Sequence, residues 1–171
     1  AKNIIIKDSV FRNSGLVSIF FRNVEQSEIS GNVIEKSGFD GIFVSGSNNV
    51  VSDNDIKEIG MIHLTARGIN ENSWTSGVYA NNTLKSNDLK DIGYAGIAFN
   101  GGGSIALDNE ISEFVKRSSD AGGIYIWNDI NTITWKKEQV VKHNHIYNYK
   151  QLDTTRTRVE AIYMDGTGAY G

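Results

Sequence analysis

An all-β solenoid of about six stacked coils is what this chain of 171 residues predicts, and three observations lead there. An asparagine phrase returns along it: Gly31-Asn32-Val33-Ile34, Asp53-Asn54-Asp55-Ile56, Ser86-Asn87-Asp88-Leu89, Asp108-Asn109-Glu110-Ile111 and His143-Asn144-His145-Ile146. Asp8-Ser9-Val10-Phe11 is a degenerate first copy, and from Ser9 the intervals are 23, 22, 33, 22 and 35 residues. A glycine-led phrase runs alongside it, as in Gly41-Ile42-Phe43-Val44, Gly96-Ile97-Ala98-Phe99 and Gly123-Ile124-Tyr125-Ile126. Finally, apolar residues alternate over short runs and never fall into a helical period.

The elements follow in order. The first coil opens on Asn3-Ile4-Ile5-Ile6, passes Val10-Phe11 and ends on Ile19-Phe20-Phe21. In the second, Ile29, Asn32 and Ile34 lead to Gly41–Val44. For the third, two phrases compete to be the closing strand, Gly68-Ile69-Asn70 and Gly77-Val78-Tyr79. The first is preferred, because Val78 lies too close to Asn87 to leave room for the intervening strand. The fourth reads Leu84, Asn87, Leu89, Gly96–Phe99; the fifth reads Ile105–Leu107, Asn109, Ile111, Phe114, Gly123–Ile126. Val141, Asn144, Ile146, Tyr149 and Ala161–Met164 make the sixth. Strands this short, repeating this often, are satisfied when each coil gives one strand to the same sheet. The repeated asparagine then has a structural task. Its amide turns inward at a bend and hydrogen-bonds to the coils on either side, and its tolerance of left-handed backbone suits that bend.

The frame apolar-x-x-Asn-x-Ile followed by Gly-Ile-aromatic-apolar resembles the right-handed parallel β-helix repeats of the pectate-lyase-like superfamily, over nearly the whole chain. The resemblance implies a right-handed parallel β-helix, read here as a single domain over residues 1–171. Solenoid ends expose unpaired strand edges. The chain begins in strand-like sequence and stops at Tyr170-Gly171 with no capping helix, so it is expected to be part of a longer helix. Alternatively it packs on additional β-helix chain or on a copy of itself.

Composition narrows the function classes. Hydrophobic residues make up 39% of the chain, enough for a core, and no apolar run approaches a membrane span. The net charge is −3 with no basic cluster, so nucleic acid is not an expected partner. Cysteine is absent, which leaves the redox compartment open, because backbone bonds between coils do the work of disulfides. Proline is absent too, as strands paired on both sides require.

In the glycine-led strands, alternation sends Ile19 and Phe21, Ile42 and Val44, Ile97 and Phe99, Ile124 and Ile126, and Ile162 and Met164 inward. Phe20, Phe43, Ala98, Tyr125 and Tyr163 then point outward. One step along that face come Arg22, Ser45, Asn72, Asn100, Trp127 and Asp165. Such a row serves either as cross-strand stacking or as a platform for sugar rings, which present apolar faces to aromatics. The extra residues of the long intervals enter beside this sheet, and they carry Trp74, Asp120, Trp127, Asp129, Trp135, Arg158 and Glu160. Loops rim sites more often than they support cores. A groove floored by Tyr125, Trp127 and Tyr163 and walled by these loops is the expected site; a covered sheet face or an oligomer contact is the alternative.

Asp120 begins the phrase Asp120-Ala121-Gly122-Gly123-Ile124-Tyr125, and Asp165 ends Ile162-Tyr163-Met164-Asp165. This pair looks like a pattern in β-helix glycoside hydrolases, including fucosidase-type members, with Ala121 departing from a common glycine. The resemblance implies Asp120 and Asp165 as the catalytic carboxylates. We read Asp165 as nucleophile or base and Asp120 as acid, with Asp129 and Glu160 as substitutes should either be structural. Hydrolysis needs one protonated and one ionised carboxyl flanking the bond. No cofactor is then required. A carbohydrate substrate and a secreted, periplasmic or cell-surface location are implied with it. Two other readings stay open. A lyase or epimerase on uronate-containing glycans would use the Lys136, Lys137, Arg156 and Arg158 set and could call for calcium. A non-catalytic carbohydrate-binding or adhesin segment would use the aromatics alone. His143 and His145 flank an asparagine on another sheet and have no third partner at metal spacing.

Overall fold

The computed structural model describes residues 1–73, 80–116, 118, 120–127, 138–150 and 158–165. Among these residues each coil contributes three strands. The first has β1 (Ile5–Lys7), β2 (Val10–Arg12) and β3 (Ile19–Glu25); the second β4 (Glu28–Ser30), β5 (Val33–Ser37) and β6 (Ile42–Ser47). The third has β7 (Val50–Ser52), β8 (Asp55–Ile59) and β9 (Ile69–Glu71); the fourth β10 (Thr83–Lys85), β11 (Asp88–Ile92) and β12 (Ile97–Phe99). The fifth has β13 (Ile105–Leu107), β14 (Glu110–Ser112) and β15 (Ala121–Trp127); the sixth β16 (Val140–Lys142), β17 (His145–Tyr147) and β18 (Val159–Asp165). Every strand pairs with the equivalent strand of the next coil, giving three parallel sheets of six strands: β1-β4-β7-β10-β13-β16, β2-β5-β8-β11-β14-β17 and β3-β6-β9-β12-β15-β18. This is a right-handed parallel β-helix, and the strand between β6 and β12 is the preferred Ile69 strand, while Val78 lies outside the described residues.

The core is the column of inward side chains. Ile29, Val51, Leu84 and Ala106 come from the first sheet, and Ile34, Ile56, Leu89 and Ile111 from the second. Ile42, Ile69, Ile97 and Ile124 come from the third, and all are buried. Ile162 and Met164 are in the same inward register, opposite Ile124 and Ile126, yet remain 46% and 48% exposed. In the described structure β18 is an edge strand, so these two side chains gain cover from one side only. The glycine-led phrase has a steric cause. A Cβ at Gly68, Gly96 or Gly123 would run into Leu89, Ile111 or Ile146, the branched side chains of the second sheet.

The asparagine ladder is continuous. Asn32 Nδ2 donates to Asn54 Oδ1, Asn54 to Asn87 and Asn87 to Asn109, each at 2.9 Å, and Asn109 donates to Asn144 at 2.8 Å. The left-handed backbone, however, belongs to the residue before each one: Gly31, Asp53, Ser86, Asp108 and His143. The bend precedes the asparagine and turns its side chain inward. A second ladder escaped the repeat reading because it mixes residue types. Ser27 N donates to Asn49 Oδ1 (3.1 Å), Asn49 Nδ2 to Asn82 Oδ1 (3.1 Å), and Asn82 N to Ser104 Oγ (3.2 Å).

Candidate active site on the third sheet

Register places the outward row as Phe20, Phe43, Asn70, Ala98, Tyr125 and Tyr163, one residue per coil. Phe20 and Phe43 stack at 4.7 Å and 16°, isolated at one end of the row. Here cross-strand packing accounts for the aromatics. Asn70 and Ala98 then interrupt it. At the other end Tyr125 and Tyr163 meet edge to face at 5.4 Å, and Tyr94, from the turn before β12, adds a third ring 5.7 Å from Tyr125. The second outward row is shorter than alternation predicts. A register shift between Phe21 and Val24 takes Arg22 out of line, and Ser45 is buried.

Both predicted carboxylates end on these rings. Asp120 has φ +67°, and its amide donates to the Arg158 carbonyl at 2.8 Å. The left-handed turn sets it just ahead of β15. Tyr94 Oη donates to the Asp120 carbonyl at 2.8 Å, and Tyr163 Oη donates to Asp120 Oδ1 at 2.9 Å. Asp165 lies opposite Trp127 in register and accepts a 2.7 Å hydrogen bond at Oδ2 from Tyr125 Oη. A chain of four side chains, Asp120, Tyr163, Tyr125 and Asp165, therefore crosses the face from one carboxylate to the other.

The surroundings keep the phenols protonated. Burial, then the bond to Asp165, pushes Tyr125 well above the usual tyrosine range. Tyr163 is raised first by its bond to Asp120 and then by desolvation, and Tyr94 chiefly by burial. Each phenol is thus a standing donor toward a carboxylate or a carbonyl. Arg158 is held charged by its hydrogen bond to Tyr163 and by the nearby Asp120 carboxylate. The structure therefore gathers Asp120, Asp165, Tyr125, Tyr163, Trp127 and Arg158. Glu160 is exposed and lies opposite Gly122 in register. Trp74, Asp129 and Trp135 lie outside the described residues, as do Lys136, Lys137 and Arg156.

Sequence reasoning missed the floor of the neighbouring cavity. Arg67, Asn70, Asn72, Ala98, Tyr125 and Trp127 line a depression of about 230 Å³ beside the tyrosines, over the interruption in the row. Glu71 lies beneath it, in the inward slot that Phe99 fills on the next coil. It is 1% exposed and accepts from Gly101 N (2.9 Å), Asn100 N (3.1 Å) and Asn82 Nδ2 (2.8 Å). Burial nevertheless pushes its carboxyl upward. A charged residue in an otherwise apolar column was the available signal.

The histidines stay apart from this face. His143 pairs with Asp108 at 3.5 Å, and His145 stacks on Tyr147. Among the described residues, no group of three or more His, Cys, Asp or Glu side chains is placed to hold a metal ion.

A family model described as a right handed beta helix region matches residues 1–111. No curated protein sequence matches the chain. Among solved structures, the A-module of the Azotobacter vinelandii mannuronan C-5 epimerase AlgE4 superposes with a TM-score of 0.56 at 16% identity, covering 96% of this chain and 54% of that one. The AlgE6 A-module from the same organism gives 0.43 at 14% identity, covering 96% and 58%. The chain thus spans little more than half the length of either structure. At this identity the first likeness is one of fold.

Proposed function

The chain belongs to the right-handed β-helix family, and from that premise we propose that its third sheet carries the active site of a glycoside hydrolase. The observation that carries the reading is the pair of carboxylates fixed to two adjacent tyrosines, Asp120 on Tyr163 and Asp165 on Tyr125. Hydrolysis of a glycosidic bond needs two carboxyl groups on one face, held apart by the reacting sugar. Tyr125 and Trp127 offer the sugar ring an apolar surface. Asp165, beside Trp127 and fixed by Tyr125, is the nucleophile or base. Asp120, exposed at the mouth of the row, protonates the leaving oxygen. Arg158 beside Tyr163 offsets the charge that two carboxylates bring to one face.

The test is reducing-end release from a panel of neutral and acidic glycans. Asp120→Asn and Asp165→Asn should each lower the rate by about 10²–10⁴-fold, the usual worth of a positioned acid or base. Full activity in both variants would sink the proposal. A second reading, proton abstraction from a uronate by a lyase or epimerase, is favoured by the two arginines, Arg67 and Arg158, that flank the tyrosines. The epimerase activity of the fold neighbour points the same way. Ultraviolet absorbance from an unsaturated product, or a change at C5 without chain cleavage, would establish it in place of hydrolysis.

A further inference from the structure

Two residues that line the cavity beside the tyrosines each carry a polar atom whose needs are unmet. Among the described residues, Arg67 Nε and Asn72 Oδ1 are both buried without a hydrogen-bond partner, and both residues line the cavity. Buried polar atoms in native structures are nearly always paired, so two on residues lining one cavity call for an explanation. Arg67 has no acidic side chain within ion-pair distance among the described residues. Its guanidinium lies 5.4 Å from the Tyr94 ring centre. The nearby acid, Asp40, is occupied by the Arg67 amide (2.8 Å) and Asn70 Nδ2 (2.7 Å). Glu71 is directed away into the coil, toward the Asn100 and Gly101 amides and Asn82.

The unmet atoms specify a ligand. Nε with a neighbouring amino group of the guanidinium forms a planar fork that matches a carboxylate. Asn72 Oδ1 needs a donor, which a hydroxyl supplies. Tyr125 and Trp127 supply the wall for an apolar ring face, and about 230 Å³ suits one monosaccharide. The cavity exists because Ala98 stands where a tyrosine stands on each of the next two coils.

We propose that this cavity is a subsite for an acidic sugar residue, its carboxylate on Arg67 and one of its hydroxyls on Asn72, adjoining the Asp120–Asp165 pair. The inference rests on reading the tyrosine face as glycan-processing, and it narrows the substrate class to uronate-containing glycans.

The experiment is calorimetric titration of the full chain with glucuronate and galacturonate, and with glucose, galactose and glucose 6-sulfate. Both uronates should bind at least about tenfold tighter than their neutral counterparts. Arg67→Gln should erase that preference, and Asn72→Ala should weaken uronate binding several-fold, with circular dichroism confirming that each variant is folded. Asn72 is partly exposed, so its variant keeps the test decisive should Arg67→Gln fail to fold. Equal affinity for uronates and neutral sugars would overturn the subsite, as would a preference that survives in folded Arg67→Gln or uronate binding left unchanged in folded Asn72→Ala. Binding of glucose 6-sulfate as tight as glucuronate would overturn the carboxylate fork. The two proposals fail separately. A chain that hydrolyses only neutral glycans and shows no uronate preference loses the subsite alone. A uronate preference alongside full hydrolysis by Asp120→Asn and Asp165→Asn leaves the subsite and removes the hydrolase.

Discussion

Tyr125 sits at the centre of the face. Its hydroxyl holds Asp165 at 2.7 Å while its ring packs between Tyr94 and Tyr163. Removing the hydroxyl and keeping the ring separates the two tasks. Tyr125→Phe should lower the hydrolytic rate by about tenfold, the worth of one hydrogen bond to a charged group, and change the melting temperature little. Glu71 makes the complementary prediction, for stability. Its carboxyl is raised in the folded state above the ordinary glutamate value near 4.5. A raised folded value means that its favourable contribution is complete below about pH 4.5 and is lost as pH rises through the folded value. Urea midpoints of the wild type should therefore fall relative to Glu71→Gln between pH 4 and pH 7. A constant difference across that range would show that Glu71 does not titrate against folding. Tyr125, Tyr163 and Asp165 were legible in the sequence because alternation along β15 and β18 assigns them to one face, and Asp120 only because its phrase resembles one in β-helix glycoside hydrolases. Arg67 and Tyr94 were not, because both come from turns, where no period says which way a side chain points.

At the scale of the element, the two amide ladders bind coil to coil. Asn87 has neighbours on both sides: its Oδ1 accepts from Asn54 N and Nδ2, and its Nδ2 donates to Asn109 Oδ1 and the Val51 carbonyl. Asn87→Ala should cost about 3 kcal/mol or more by leaving several of these buried groups unmatched. Asn144, partly exposed on the sixth coil, should cost about 1 kcal/mol when replaced by Ala. Chemical denaturation of the two variants checks the ranking, and equal losses would contradict it. Gly96→Ala should likewise destabilise by about 1–3 kcal/mol, because its Cβ meets Ile111 and the Gly123 carbonyl. Gly15→Ala meets nothing and serves as the control. The first ladder announces itself because the same residue repeats in the same phrase. The second is hidden by its mixture of serine and asparagine, although a serine oxygen accepts the same backbone N–H as an amide oxygen does.

At the scale of the molecule, each coil touches mainly its neighbours, so stability accumulates along the axis and thins toward the described edges. Of the inward side chains, Ile6 and Phe11 on the first coil are only partly buried and Ile162 and Met164 on the sixth are exposed, while Ile56, Leu89 and Ile111 between them are buried. Hydrogen exchange should be slowest across β5, β8 and β11 and fastest in β1 and β18. Uniform protection would mean that the coils unfold as one unit. The same geometry places the candidate site over β9, β12, β15 and β18, partly on the least covered strand.

The central claim is that a glycan lies across the tyrosines between Asp120 and Asp165. Its most direct test is a crystal structure of the Asp165→Asn chain with an oligosaccharide that the wild type cleaves. The account predicts a sugar ring against Tyr125 and Trp127, with the glycosidic oxygen within hydrogen-bond reach of Asp120. An oligosaccharide seated on the Phe20–Phe43 end or on another sheet, out of reach of both carboxylates, would contradict it.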